Sequence, residues 1–204
     1  GKETKLSDIS TEDASPQWSP DAKALYYLKR NLNTRRQGVY KQPINNSQGE
    51  YIIEEARSFS VTPSGTLLFS DGDGVNIFVP ATGKKIAITR GFLDLWPTYA
   101  EYPTQGKRPP KLNPNNHQLY FSRYEPDSNG DGVITTDDNS SIWNIQFTAD
   151  WSEQITQYQL TPASAYHIYP TVKEGFLYYS DLKHGDIYRT DLSRFFDNYR
   201  TFEA

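Results

Sequence analysis

The sequence predicts an all-β fold, a β-propeller built of four-stranded antiparallel blades. Two strand types alternate along the chain, and a tight turn precedes the first of each pair. The first type reads ALYYL (24–28), LLFS (67–70), QLYFS (118–122) and FLYYS (176–180), with Leu25, Leu67, Leu119 and Leu177 in equivalent places. The second reads GVYKQ (38–42), NIFVP (76–80), SIWNI (141–145) and DIYRT (186–190), a β-branched residue followed each time by an aromatic one. Neighbouring side chains of a strand face opposite sides, so burying both predicts strands covered on both faces.

The turns before the first strand type read SPDAK (19–23), TPSGT (62–66) and NPNNH (113–117). Proline presets φ for the first central position, and Gly65 or Asn116 suits a positive φ. Ala22 stands where Gly or Asn is easier, so that turn carries strain or differs in type. The fourth copy, VKEGF (172–176), lacks the proline and keeps Gly175. A further strand follows in EYIIEE (50–55), KKIAIT (84–89) and EQITQYQLT (153–161), and an isolated TKLSD (4–8) opens the chain. The leucines are spaced by 42, 52 and 58 residues, which suits one four-stranded blade per repeat. Blades are expected near 14–55, 56–90, 94–161 and 165–192, within a propeller of 1–192. Two insertions lengthen the later spacings, YAEYPTQGKRPPK (99–111) and EPDSNGDGVITTDDNSSIW (125–143).

The ends carry two expectations. TKLSD can serve as the outer strand of a preceding blade, or complete 165–191 and close a four-bladed ring. The missing methionine favours an excerpt of a larger ring. Residues 193–204 read as the start of a short C-terminal helix, with Ser193 as N-cap and Phe195, Phe196, Tyr199 and Phe202 at near-helical spacing. A further domain or subunit is expected in the full assembly.

The stretch SPQWSPDAKALYYL (15–28) resembles the repeat signature of TolB-like propellers, with Ala22 in place of the usual glycine. LWPTY (95–99) and IYPTV (168–172) resemble the start of the innermost strand of that repeat. The resemblance implies a propeller that commonly has six blades and serves as a binding platform, a periplasmic scaffold or a substrate gate. Trp96 is expected in the core. Tyr99, Tyr102 and Trp151 are candidates for a ligand or partner rim.

The 204 residues carry a formal charge of −4, which argues against a nucleic-acid partner, since phosphate neutralisation needs a basic face. There is no cysteine, which excludes disulfides, thiolate metal sites and a cysteine nucleophile. No apolar run is long enough to insert in a membrane. Three histidines, His117, His167 and His184, show no zinc-binding spacing, and no G-x-S-x-G elbow is present. The chain is therefore read as non-enzymatic. The alternative is a propeller domain associated with a hydrolase or peptidase whose catalytic residues lie outside this chain.

The acidic insertion carries the one motif with metal chemistry. Counting Asp127 as position 1 puts Asn129 at 3, Asp131 at 5, Gly132 at 6, Val133 at 7, Ile134 at 8 and Asp138 at 12. This is the EF-hand calcium spacing. Ca²⁺ takes six to eight hard oxygens at about 2.3–2.6 Å. Side chains at 1, 3 and 5 converge from one curve, Gly at 6 permits the bend, the carbonyl at 7 points inward and the residue at 12 closes the site. Asp at 12 resembles dockerin-type loops, and the flanks read as strands rather than helices. Calcium is thus expected on Asp127, Asn129, Asp131, Val133 and Asp138, with Ile134 as an apolar anchor beneath. Loops of this class suit millimolar calcium, hence a periplasmic or extracellular place. A protein partner is expected. DGDG (71–74) offers too few ligands and reads as a tight turn.

Overall fold

A computed structural model describes residues 5, 10–45, 48–100, 117–148, 151–152 and 154–192. The helix expected over 193–204, most of the strand expected over 4–8, and Tyr102 lie outside the described residues. The chain divides into two compact units, Gly1–Gly91 and Phe92–Ala204.

The first unit holds two four-stranded antiparallel sheets. One runs in the order β1 (Thr11–Trp18), β2 (Ala24–Asn31), β3 (Gln37–Pro43), β4 (Glu50–Glu54), the other β5 (Ser58–Val61), β6 (Leu67–Ser70), β7 (Val75–Val79), β8 (Lys84–Ala87). Strands sequential in the chain are neighbours in each sheet, as a blade requires. The sheets share a core. Tyr26, Val39, Ile53 and Ala56 of the first meet Phe59, Leu67 and Phe69 of the second. Gln17 adds a polar clamp: its amide donates to the Phe59 carbonyl at 3.0 Å and accepts from the Val61 amide at 2.9 Å.

The second unit repeats the plan. Its four-stranded sheet orders as β9 (Asp94–Ala100), β10 (His117–Tyr124), β11 (Ser140–Phe147) and β12 (Gln154–Gln159). Its last sheet has three strands among the described residues, β13 (His167–Lys173), β14 (Phe176–Asp181) and β15 (Asp186–Asp191). Tyr120 and Ile142 of one pack with Leu177, Tyr179 and Leu192 of the other.

The alternation read from sequence holds in three blades. Val39, Ile77 and Ile142 are fully buried, and Tyr40, Phe78 and Trp143 half-buried. It fails in β15, where Ile187 is 79% exposed and Tyr188 41%. β15 is the edge of its described sheet, so Ile187 lacks the cover that Leu67 and Phe69 give Val39 in the first unit.

Two backbone features recur. In the turns, Ala22 and Gly65 both have positive φ, 54° and 84°, and their amides donate to the Ser19 and Thr62 carbonyls at 2.9 Å. The strain expected at Ala22 is therefore present. In the innermost strands, Ser15, Trp96 and Tyr169 have φ of 54°, 52° and 54°. Each precedes a proline and each sits at a register shift, so each is a β-bulge. β5 has no proline and pairs without a shift. A left-handed backbone costs a non-glycine residue roughly 1–2 kcal/mol, so the three bulges are a specified device of the repeat.

Candidate metal centre

The acidic insertion joins β10 to β11 as the connection of a hairpin. β10 and β11 pair in unbroken register from His117–Phe147 to Tyr124–Ser140, so the loop springs from a rigid base. Glu125 continues the ladder, its amide donating to the Asn139 carbonyl at 2.8 Å.

Within the loop, short polar side chains fold the backbone. Asp127 Oδ1 accepts from the Gly132 amide at 2.9 Å, Asn129 Oδ1 from the Asp131 amide at 3.1 Å and Asp131 Oδ1 from the Val133 amide at 2.9 Å. These side-chain-to-backbone bonds curl the chain. Gly130 and Gly132 take φ of 79° and 86°, which a Cβ would oppose. Asn129 Nδ2 also donates to Asp131 Oδ2 at 3.2 Å.

Asp138 closes the loop from its far end and is fully buried. Its Oδ1 accepts from the Ser128 hydroxyl at 3.0 Å and the Asn129 amide at 3.2 Å, and its Oδ2 from the Thr135 amide at 2.8 Å. These donors, the Thr135 amide first, hold its pKa below the ordinary carboxylate value against the opposing effect of burial. Ser128 is a member of the site that the spacing did not reveal. Its hydroxyl serves Asp138 and also accepts from the Asn139 amide at 2.6 Å.

The structure thus places Asp127, Asn129, Asp131, Val133 and Asp138 in one curled loop. It links Asn129, Asp131 and Val133 directly, and joins the two ends through Asp138. Among the described residues, no three His, Asp or Glu side chains are grouped as a metal cluster. Of the loop's four carboxylates, Asp127, Asp131 and Asp138 accept from backbone amides. Ile134 is 43% exposed and Val133 55%, so Ile134 is not the buried anchor expected.

The other candidates resolve as follows. DGDG is a turn: Asp71 accepts from the Asp73 amide at 3.1 Å and from Asn76 Nδ2 at 2.9 Å. His184 pairs with Asp181 at 2.8 Å, and this bond leads the causes that lower the Asp181 pKa. Trp151 is 6% exposed and stacks on His117 with centroids 4.0 Å apart, so it is packed rather than a rim residue. Trp96 is half-buried against Leu93, Leu95, Tyr124 and Ile168. Asp94 and Arg123 form a buried bidentate pair, both bonds at 2.8 Å. Nothing in the sequence marked that pair, because its partners sit 29 residues apart on neighbouring strands. No helix among the described residues is long and apolar enough to cross a membrane.

The antiparallel blades, with innermost strands bulged at a proline, define a β-propeller. No known protein family matches the chain by sequence, and no curated protein does either. Among solved structures, TolB from Acinetobacter baumannii is similar over 90% of this chain at 17% identity, with a TM-score of 0.54. The chain spans 44% of that TolB chain. A nidogen/laminin complex is similar over 91% of this chain and 78% of its own, at 12% identity and a TM-score of 0.45. The tricorn protease is similar over 92% of this chain and 23% of its own, at 12% identity and a TM-score of 0.34. The likeness to TolB bears on the fold alone.

Proposed function

We propose that this chain is the propeller of a non-enzymatic interaction scaffold, stabilised by one calcium ion on Asp127, Asn129, Asp131, Val133 and Asp138. The hydrogen-bond wiring of the loop carries the proposal. Asp127, Asn129 and Asp131 each use one oxygen to fold the loop at the spacing of a calcium-binding turn. The donor set fits the ion, being all hard oxygen: three carboxylates, an amide carbonyl and the Val133 main-chain carbonyl. Calcium would supply the positive charge that offsets four carboxylates, Asp127, Asp131, Asp137 and Asp138, on one short turn. Asp138 would close the site from the position that already ties the two ends of the loop together.

The scaffold reading has separate support. The acids that burial would otherwise activate are engaged structurally: Asp94 with Arg123, Asp138 within its loop, Asp181 with His184. A rigid fold carrying exposed loops suits partner binding. Calcium dependence of this kind suits the periplasm or the cell exterior, where the ion is abundant.

Calorimetric titration of chelator-stripped protein tests the metal. We expect one site per chain, a raised melting temperature with calcium, and loss of both in Asp127→Ala or Asp131→Ala. No heat, with equal melting temperatures in calcium and in chelator, would reduce the loop to a polar hairpin.

A further inference from the structure

We propose that a cavity between the two sheets of the first unit binds a small organic carboxylate, held by the Tyr26 hydroxyl and the Lys41 ammonium. The site goes beyond the scaffold reading and depends on neither calcium nor a protein partner.

The cavity has a volume of about 480 Å³, within the range of small-molecule sites. Ala24, Tyr26, Lys41 and Pro43 line it from the first sheet, and Thr66 and Val79 from the second blade. The strand register fixes how the first sheet addresses it. Tyr26 stands opposite Lys41 and Ala24 opposite Pro43, so all four share one face of the sheet. Lys41 shares that face with Val39, which is fully buried in the core between the two sheets.

The second unit furnishes the same positions differently. Tyr120 and Ile142 correspond to Tyr26 and Val39, which aligns Gln118 with Ala24, Asn144 with Lys41 and Gln146 with Pro43. There the Tyr120 hydroxyl donates to the Gln118 side-chain carbonyl. In the first unit alanine removes that acceptor and its volume together. Tyr26 is 5% exposed, and its hydroxyl has no hydrogen-bond partner among the described residues. Burial first, and Asp21 second, raise its pKa, so the phenol keeps its proton and remains a donor. Lys41 stands where the second unit has a neutral amide, and no carboxylate pairs with it among the described residues. A buried O–H donor and a cation share one face, where the second unit supplies a planar carbonyl. That combination calls for a planar oxygen acceptor carrying negative charge.

The remaining lining agrees with an anion. Asp21 and Lys23 also border the cavity. Asp21 Oδ1 accepts from the Ser19 hydroxyl at 2.7 Å and from the Lys23 amide at 3.1 Å, so this carboxylate folds its own turn. Lys23 is exposed, and with Lys41 it leaves the lining net positive. Pro43, Pro80 and Val79 give apolar walls. Such walls suit a monoanion with an apolar body, whereas a free phosphate has no body to cover them.

The test titrates the whole chain with hexanoate, benzoate and 3-phenylpropanoate, each against its neutral primary amide, and with inorganic phosphate. The readout is the backbone amide NMR signals of Gly65 and Thr66, which border the cavity, with Gly132 of the acidic loop as control. We expect at least one carboxylate to shift Gly65 and Thr66 in a saturating way and to leave Gly132 unmoved. It should bind at least about tenfold more tightly than its amide, and more tightly than phosphate. Lys41→Met and Tyr26→Phe should each weaken it about tenfold, the scale of a hydrogen bond to a charged group. Ala24→Gln, which restores the acceptor of the second unit, should abolish saturation. The proposal is overturned by no saturable shift with any of the three carboxylates, by equal binding of the amides, or by tighter binding of phosphate. Shifts at Gly132 that match those at Gly65 overturn it too, as does full affinity in both Lys41→Met and Tyr26→Phe, or in Ala24→Gln, at unchanged melting temperature.

Discussion

The seams between paired sheets differ between the two units. In the first, Ala24 and Leu28 flank Tyr26 on β2, Lys41 and Pro43 lie on the same face of β3 as Val39, and Phe59, Leu67 and Phe69 lie opposite. In the second, the equivalent face of β10 and β11 carries Gln118 and Ser122 in those flanking places, with Gln146 across from Gln118 and Asn144 across from Tyr120. All four are buried, and Gln118 Nε2, Ser122 Oγ, Asn144 Oδ1 and both amide atoms of Gln146 have no hydrogen-bond partner among the described residues. One repeat thus accepts two kinds of interior. The shape-filling residues, Tyr26 with Tyr120 and Val39 with Ile142, are kept, while Ala24, Leu28 and Pro43 give way to Gln118, Ser122 and Gln146, and Lys41 to Asn144. A buried unpartnered polar atom costs about 1–3 kcal/mol, so the polar unit depends more heavily on each interaction it completes.

The largest expected effect follows from that dependence. Asp94→Ala should leave the Arg123 guanidinium buried and unpaired, and cost about 3–5 kcal/mol. Asp94→Ala combined with Arg123→Met should recover much of the loss, since replacing a buried pair by apolar groups is often neutral. Urea denaturation of the three proteins measures both. A single variant that loses no more than a surface substitution would show that the polar unit is not held this way.

A smaller effect separates the units by pH. His167 lies in the polar seam, 9% exposed, its Nδ1 unpartnered among the described residues and its ring 4.6 Å from Tyr179. Burial lowers its pKa, and Asp181 opposes the shift without reversing it. The folded protein therefore takes up this proton at lower pH than the unfolded chain. Stability from this group is present above the unfolded histidine value of about 6.5. It declines as pH falls from there to the depressed folded value, below which it is constant. Urea midpoints at pH 7.5 and 5.5 should drop for the parent and drop less for His167→Phe. An identical drop in both would remove His167 from the account.

The legible part of the molecule was the part that repeats. Leu25, Leu119 and Leu177 keep one register, each three residues before the partner of Val39, Ile142 or Ile187, whereas Leu67 lies one residue before the partner of Ile77. The loop at 127–138 was legible as well, since a turn folded by its own side chains is written in local spacing. The Asp94–Arg123 pair was not, because pairing across strands leaves no trace at short range. Trp96 and Tyr169 were visible as aligned WP and YP dipeptides, but the positive φ that aims them arises only when the strands pair and bulge. Ile187 was misread for a related reason: its pattern is that of a covered strand, and cover is supplied by a neighbouring element.

The smallest expected effect concerns the turn that precedes the second strand in both blades of the first unit. Ala22 takes φ of 54° where Gly65 takes 84°. Ala22→Gly removes the clash of Cβ with a left-handed backbone, worth roughly 1–2 kcal/mol. It also frees the unfolded chain, which returns roughly 0.5–1 kcal/mol of that gain. The turn keeps its bonds in either case, since the Ala22 amide donates to the Ser19 carbonyl, and Ser19 Oγ donates to Asp21 at 2.7 Å. A net gain of about 0.5–1 kcal/mol is expected from the difference, read as a raised urea midpoint with unchanged slope. The reverse change, Gly65→Ala, should cost a similar amount, because a Cβ there meets no atom closer than Pro20 Cγ at 3.9 Å and only the backbone term remains. If the two substitutions do not mirror each other, the turns are not equivalent and the strain at Ala22 is absorbed by its Ser19–Asp21 bond.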